Sequence, residues 1–241
     1  MNGVPTPVKT RFRLLLIALL AMVLPLAACA KGPDQPADKG KPKTFEEGVH
    51  YIELFEPVPT AVPADKIEVV EMFWYGCPHC YRLEPHLQAW LKKLPDDVQL
   101  VRIPAALNAS WSLLARAYYA AQELGILDKL HEPLFQAIHE QGRRLRSEDA
   151  VVRFVSALGF DGERFRQAMN SLAVQTKVRH ATELGRRYGV DGVPALIVNG
   201  RYRVLGRGVH SYEEMFQVVD FLIDKERARR RAATADAGQG Q

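Results

Sequence analysis

The feature that most constrains the fold is a pair of cysteines, Cys77 and Cys80, placed between a strand pattern and a helix pattern. Residues 67–75, before the pair, are β-branched, aromatic and almost continuously apolar, as in a central strand covered on both faces. Pro78 suits the first position of a helix, and apolar residues then recur at helical spacing. A second strand pattern over 98–103 completes an order that predicts a parallel β-α-β crossover unit.

The alternation of strands and helices stops between about residues 109 and 188, where five helical patterns follow one another. Strand patterns resume at 195–198 and 202–205, and the Asn199-Gly200 pair between them is typical of a hairpin turn. A last amphipathic helix follows. The sequence therefore predicts an α/β fold in which an all-helical block is inserted into a sheet framework.

These patterns also predict the boundaries between segments. We expect a lipoprotein signal peptide at 1–28 and a lipidated cysteine with a flexible linker at 29–44. The first part of the sheet domain follows at 45–107, the helical insertion at 108–178, the second part of the sheet domain at 179–230 and a disordered tail at 231–241.

The N-terminal segment resembles a secretion signal of the lipoprotein type. Three basic residues precede an uncharged run, 14–28, which is shorter than the roughly 20 residues of a membrane-spanning helix. The resemblance implies that Cys29 becomes the mature N-terminus and carries acyl chains as a membrane anchor. Ala30 stands where an inner-membrane retention signal has Asp, which favours the outer membrane. The alternative is an ordinary signal peptide that leaves Cys29 as a free thiol.

The charge balance gives no support to nucleic-acid binding. The chain has 32 Lys and Arg against 28 Asp and Glu, and the signal segment holds three of the basic residues and none of the acidic ones. The basic run 225–231 is interpreted as a solvated helix end, with a membrane-surface role as the alternative. Only three cysteines are present. With Cys29 assigned to the lipid anchor, Cys77 and Cys80 are the one remaining cysteine pair, which suits a catalytic dithiol in an oxidising compartment.

The spacing of the two cysteines indicates that their sulfurs have different chemical roles. Cys77 is expected at the N-terminus of the helix, where free N–H groups and the helix dipole stabilise a thiolate. Pro78 sets the helix entry, and His79 places an imidazole beside the sulfur as a donor. Cys77 is then the exposed attacking sulfur and Cys80 the resolving one. A zinc site would need two further ligands, and a structural disulfide would close too short a loop to stabilise much.

Two motifs carry a resemblance to a known family. Cys77-Pro78-His79-Cys80-Tyr81 and the later segments 192–195 (Gly-Val-Pro-Ala) and 198–200 (Val-Asn-Gly) closely resemble the DsbA family of periplasmic thiol oxidases, over about residues 45–223. The resemblance implies a thioredoxin-like fold with an inserted all-helical domain.

Family roles transfer to several positions. Val193 and Pro194 match a loop whose proline is cis, faces the sulfurs and binds substrate peptide. Glu71 matches a buried acid that moves the proton of the resolving thiol; a carboxylate within an apolar strand is costly unless used or paired, and the alternative is an edge position facing water. Glu84 and Arg102 fall near the site, and we expect charge partners because Arg cannot relay protons.

The resemblance implies that the chain donates its Cys77–Cys80 disulfide to unfolded secreted proteins. It also implies reoxidation by a DsbB-like, quinone-linked membrane oxidase, a monomeric state and no bound metal or cofactor. Two alternatives remain: a disulfide isomerase or reductase on the same fold, and a tethered holdase chaperone in which the thiols are incidental.

Overall fold

A computed structural model describes residues 44–239. Its strands are β1 (Tyr51–Glu53), β2 (Ile67–Phe73), β3 (Val98–Pro104), β4 (Ala195–Val198) and β5 (Tyr202–Val204). Its α-helices are α1 (Pro78–Leu91), α2 (Ala109–Glu123), α3 (Leu127–His139), α4 (Glu148–Ala157), α5 (Gly162–Met169), α6 (Leu172–Arg187) and α7 (Tyr212–Gln239), and a short 3-10 helix covers Gly206–Gly208. Within this range, no helix is long and apolar enough to cross a membrane.

The strands form one mixed sheet in the order β1, β5, β4, β2, β3. β2 and β3 are parallel and joined through α1, which confirms the predicted crossover unit. β4 runs antiparallel to β2 on the other side, and β4 and β5 form the predicted hairpin. The register places Glu71 of β2 beside Arg102 of β3 and Leu196 of β4, so a buried acid and a base are neighbours.

β2 is the centre of the molecule, and all seven of its residues are buried. Val70 and Met72 belong to a core shared with the helical insertion, whereas Ile67 and Val69 belong to a second core shared with α7. A strand covered on both faces explains the nearly continuous apolar sequence. The rigid strand ends at Phe73, four residues before the first cysteine, which fixes the base of the active-site loop.

The helical insertion, α2 to α6, and the sheet framework agree with the predicted fold class. Three details differ from the sequence prediction. β1 was missed because a three-residue edge strand has too few residues for a periodic pattern. The predicted boundary at residue 178 falls inside α6, and α7 continues to Gln239 where a disordered tail was predicted from 231. Ala and Arg dominate the start of that tail, and both are strong helix formers.

The basic run in α7 has structural partners. The carboxylate of Glu226 is fully buried and accepts hydrogen bonds from Arg229 Nε (3.1 and 3.0 Å) and from Asn199 Nδ2 (2.8 Å) in the hairpin turn. Arg230 donates to the carbonyls of Ala64 (3.0 Å) and Lys66 (2.8 Å). These contacts hold α7 against the sheet, which favours a structural role for this run over a membrane-surface role.

Candidate active site

The two cysteines lie at the start of α1, as the sequence predicted. Cys77 is the N-cap residue with extended backbone, and Pro78 occupies the first turn. Both cysteines are free thiols in this structure. Cys77 is 8% exposed and Cys80 is fully buried; the attacking sulfur is therefore less open than predicted, but it is the only one of the two that a substrate sulfur can approach directly.

Hydrogen bonds make Cys77 an acidic thiol. They lower its pKa to about 6: the largest contribution is the hydrogen bond from the Cys80 thiol, followed by the backbone N–H groups of Cys80 and His79 and the charge of His79, while burial opposes them. The sequence had assigned the donor role to the imidazole of His79. In the structure, His79 Nδ1 accepts from Arg82 Nη2 at 3.0 Å, and the hydrogen bonds to the Cys77 sulfur come from the Cys80 thiol and from backbone N–H groups.

Cys80 has the opposite electrostatic environment. Burial raises its pKa well above the ordinary value for a thiol, and the hydrogen bond to Cys77 and the nearby charge of Glu71 act in the same direction. Cys80 therefore remains protonated when the protein is reduced. It needs a buried proton acceptor before it can attack a mixed disulfide at Cys77.

The loop before β4 faces the reactive sulfur. The Val193-Pro194 peptide bond is cis, as the resemblance implied, and Cys77 Sγ donates to the carbonyl oxygen of Val193 at 3.3 Å. Pro194 also lines a groove of about 490 Å³ beside His79, together with Tyr212 and Met215 from the start of α7. The groove therefore borders the loop whose Val193 carbonyl contacts the Cys77 sulfur.

Glu71 is fully buried beneath the dithiol, so the alternative of an edge position facing water is wrong. Its Oε2 accepts from Arg102 Nε at 3.1 Å, and its Oε1 is buried without a hydrogen-bond partner. Burial, and then the charge of Glu84, raise the pKa of Glu71 to about 8 against the opposing effect of Arg102. Arg102 Nη2 also donates to Glu84 Oε2 at 3.2 Å, so Arg102 links the two acids as the predicted charge partner.

Two residues of this network were missed by sequence reasoning. His131 of α3 lies with Nε2 3.2 Å from Glu84 Oε1 and with Nδ1 2.8 Å from the hydroxyl of Tyr75. The sequence treated His131 as a surface or packing residue and Tyr75 as the end of a strand. No local signal links them to the dithiol, because α3 belongs to the inserted block and reaches the site only through tertiary packing.

The fold and this site define a class of protein. A cysteine pair at the start of a helix, with one acidic and one buried thiol and a cis-proline loop facing the sulfur, can exchange disulfides with other thiols. The sheet and the inserted helices make it a thioredoxin-like thiol:disulfide oxidoreductase with a helical insertion.

Comparison with known proteins specifies the family. Residues 68–219 match the model of the DSBA-like thioredoxin domain. The chain is 43% identical over 189 residues to the thiol:disulfide interchange protein DsbA of Pseudomonas syringae pv. tomato, covering 78% of this chain and 88% of that protein. It is 38% identical over 215 residues to DsbA of Pseudomonas aeruginosa, covering 89% of this chain and 97% of that protein.

Solved structures agree with the sequence comparison. The crystal structure of Pseudomonas aeruginosa DsbA superimposes with a TM-score of 0.73 at 38% identity, over 78% of this chain and 97% of that one. A DsbA oxidoreductase of Neisseria meningitidis gives a TM-score of 0.68 at 30% identity, over 77% and 96%. The chain belongs to the DsbA family of thiol:disulfide oxidoreductases.

Proposed function

We propose that this protein acts as an oxidase that donates the Cys77–Cys80 disulfide to reduced proteins newly secreted into the periplasm. The observation that carries the proposal is the contrast between the two thiols: the pKa of Cys77 is lowered to about 6 and that of Cys80 is raised. A stabilised Cys77 thiolate favours the reduced protein, and a dithiol that is stable when reduced is a strong oxidant when it carries the disulfide.

The exchange proceeds in two displacements. A substrate thiolate attacks Cys77 Sγ, a substrate–Cys77 disulfide forms, and the Cys77–Cys80 bond breaks with its electron pair left on Cys80. A second substrate thiolate then attacks the substrate sulfur of the mixed disulfide, and Cys77 leaves as a thiolate. Two electrons pass from the substrate dithiol to the protein, and the substrate gains a disulfide. Val193 and Pro194, which border the reactive sulfur, hold the substrate segment during both steps.

Glu71 supplies the proton that the first displacement requires. Cys80 leaves as a thiolate in a buried site, where an uncompensated charge is costly. The acid of Glu71 is protonated at neutral pH because its pKa is raised to about 8, and its buried Oε1 has no other hydrogen-bond partner among the described residues. In reoxidation the same carboxylate takes the proton back, and the two electrons leave to a DsbB-like, quinone-linked membrane oxidase.

The reduction potential of the Cys77–Cys80 pair tests the direction of the exchange. Equilibration of the purified protein against glutathione is expected to give a value near that known for DsbA, about −120 mV. A value near about −270 mV, as in thioredoxin, would contradict the proposal and make the protein a reductant. A value near about −180 mV, as in protein disulfide isomerase, would favour the isomerase alternative.

We further propose that Cys29 anchors the protein to a membrane, with the outer membrane favoured. The support is the sequence of the signal segment and the polar linker that follows it, both of which lie outside the described residues. In cells expressing the full chain, Cys29→Ser is expected to move the protein from the membrane fraction to the soluble periplasmic fraction. Retention of that variant in the membrane fraction would contradict lipidation at this cysteine.

A further inference from the structure

Tyr75 is held at both ends by two histidines of α3. Its hydroxyl lies 2.8 Å from His131 Nδ1, and its carbonyl oxygen lies 2.7 Å from His139 Nε2. Tyr75 is 1% exposed and stands two residues before Cys77. One helix of the insertion therefore contacts the active-site loop through hydrogen bonds to a single residue.

His131, unlike His139, also contacts the buried acids. Burial keeps the Tyr75 phenol neutral by raising its pKa well above the ordinary value, so its O–H donates to His131 Nδ1. The remaining ring proton then lies on Nε2, which donates to Glu84 Oε1 at 3.2 Å. The side chains of His131 and Glu84 are only 11% and 15% exposed, so solvent screens this contact weakly.

We propose that His131 is a positioning residue for disulfide exchange: it holds the Glu84 carboxylate in place against Arg102 and thereby controls how readily Glu71 gives its proton to Cys80. The inference rests on the proposed oxidase function and deepens it. It brings the helical insertion into the chemistry of the dithiol, through a side chain that touches neither sulfur.

The physical reason lies in the balance of charge around Glu84. Burial raises the pKa of Glu84, but the hydrogen bond from His131 and the charge of Arg102 outweigh it and lower that pKa below the ordinary value. Without His131, the Glu84 carboxylate keeps Arg102 as a partner of Oε2 but loses the contact that fixes Oε1. The negative charge of Glu84 is one of the groups that raise the pKa of Glu71. A Glu84 carboxylate that turns away from this position would raise the pKa of Glu71 less, so the pKa of Glu71 would fall.

The other groups around the two acids set the background of this effect. Glu71 is next to the apolar Leu196 on β4 and to Arg102 on β3, and its charge raises the pKa of Cys80 on α1.

Tyr118 of α2 donates to the carbonyl of Arg102 at 3.3 Å and interacts electrostatically with Glu71, Glu84 and Asp128. Burial keeps that phenol neutral at physiological pH because its pKa is above the ordinary value. Glu84 also accepts from Gln88 Nε2 at 3.5 Å, a longer contact than the one with His131. Removing His131 therefore removes the shorter of two contacts that can be lost without breaking the Arg102–Glu71 pair.

The direct test is a 13C NMR titration of the Glu71 carboxyl in the reduced protein. His131→Leu keeps an apolar side chain among the neighbouring rings but removes both hydrogen bonds, and we expect it to lower the Glu71 midpoint by about one pH unit. His131→Gln retains an amide donor for Glu84, so its midpoint should lie closer to the wild-type value of about 8. The alkaline limb of the rate of peptide dithiol oxidation should move to lower pH in the same order.

His139→Leu is the matched control, because it removes a contact between the same helix and the same tyrosine but no contact with Glu84. An unchanged Glu71 midpoint in His131→Leu would overturn the proposal, and so would an equal shift in His139→Leu. Both results can be obtained even if the wild-type protein fails to oxidise dithiols, so failure of the oxidase function and failure of this inference are distinguishable.

Discussion

Cys80→Ala abolishes dithiol oxidation, because Cys77 alone cannot form the disulfide that the protein donates. It also arrests the reverse reaction at the mixed disulfide: Cys77 keeps its place at the helix start and still attacks a substrate disulfide, but no second thiol of the protein remains to release the substrate. The same change removes the hydrogen bond from the Cys80 thiol, which makes the largest contribution to lowering the pKa of Cys77. We therefore expect the titration midpoint of the Cys77 thiol, followed by thiolate absorbance, to rise above about 6 towards the ordinary thiol value of 9.0.

Two measurements check this expectation. A disulfide-bonded peptide incubated with Cys80→Ala should form a covalent adduct that is seen by mass spectrometry and released by excess thiol. Cys77→Ala should form no adduct with the same peptide in the same incubation time, because the buried Cys80 is inaccessible. Efficient adduct formation by Cys77→Ala would show that the attacking and resolving roles are assigned the wrong way round, and an unchanged Cys77 midpoint in Cys80→Ala would contradict the thiol hydrogen bond.

The reduced protein gains stability relative to the oxidised protein as pH rises from 6 to 9. The pKa of Cys77 is about 6 in the folded reduced state and near the ordinary value of 9.0 when unfolded. A lowered pKa contributes stability that is present above the unfolded value and is lost as pH falls through the folded one. At about 1.4 kcal/mol per unit, the full difference of three units corresponds to about 4 kcal/mol, and about 3 kcal/mol of it is gained between pH 6 and 9 because each group is only half titrated at its own pKa.

Other titrating groups limit where this gain can be seen. Cys80 has a raised pKa, so its contribution is present below the unfolded thiol value and is lost as pH rises beyond about 9. Glu71 is present in both redox forms, and its effect largely cancels in the difference between them. The measurement is the free energy of unfolding of both forms in denaturant from pH 5 to 9. Equal slopes for the two forms, or a gain on acidification, would contradict an acidic Cys77.

Several parts of the fold could be predicted because their signals are local. The apolar run of β2, the proline at the start of α1 and the Asn-Gly turn each act within a few residues, and the structure confirms all three. β1 could not be predicted, since its three residues are a strand only because they pair with β5. α7 runs past the predicted end at residue 230 because the helix-favouring Arg231, Ala232 and Ala233 follow it, which is a local signal.

What the sequence determined by itself is the identity of the reactive groups. Two thiols three positions apart at a helix start predict thiol chemistry because this motif acts through its own backbone geometry, whereas the role of the Val-Pro pair later in the chain came from the resemblance to the family. The tertiary structure decided the protonation of these groups. Cys80 stabilises the Cys77 thiolate, β3 places Arg102 beside Glu71, and α3 places His131 on Glu84. The pKa of a buried group depends on desolvation and on charges a few ångströms away, and the residues that supply those charges lie 18 to 47 positions apart along the chain.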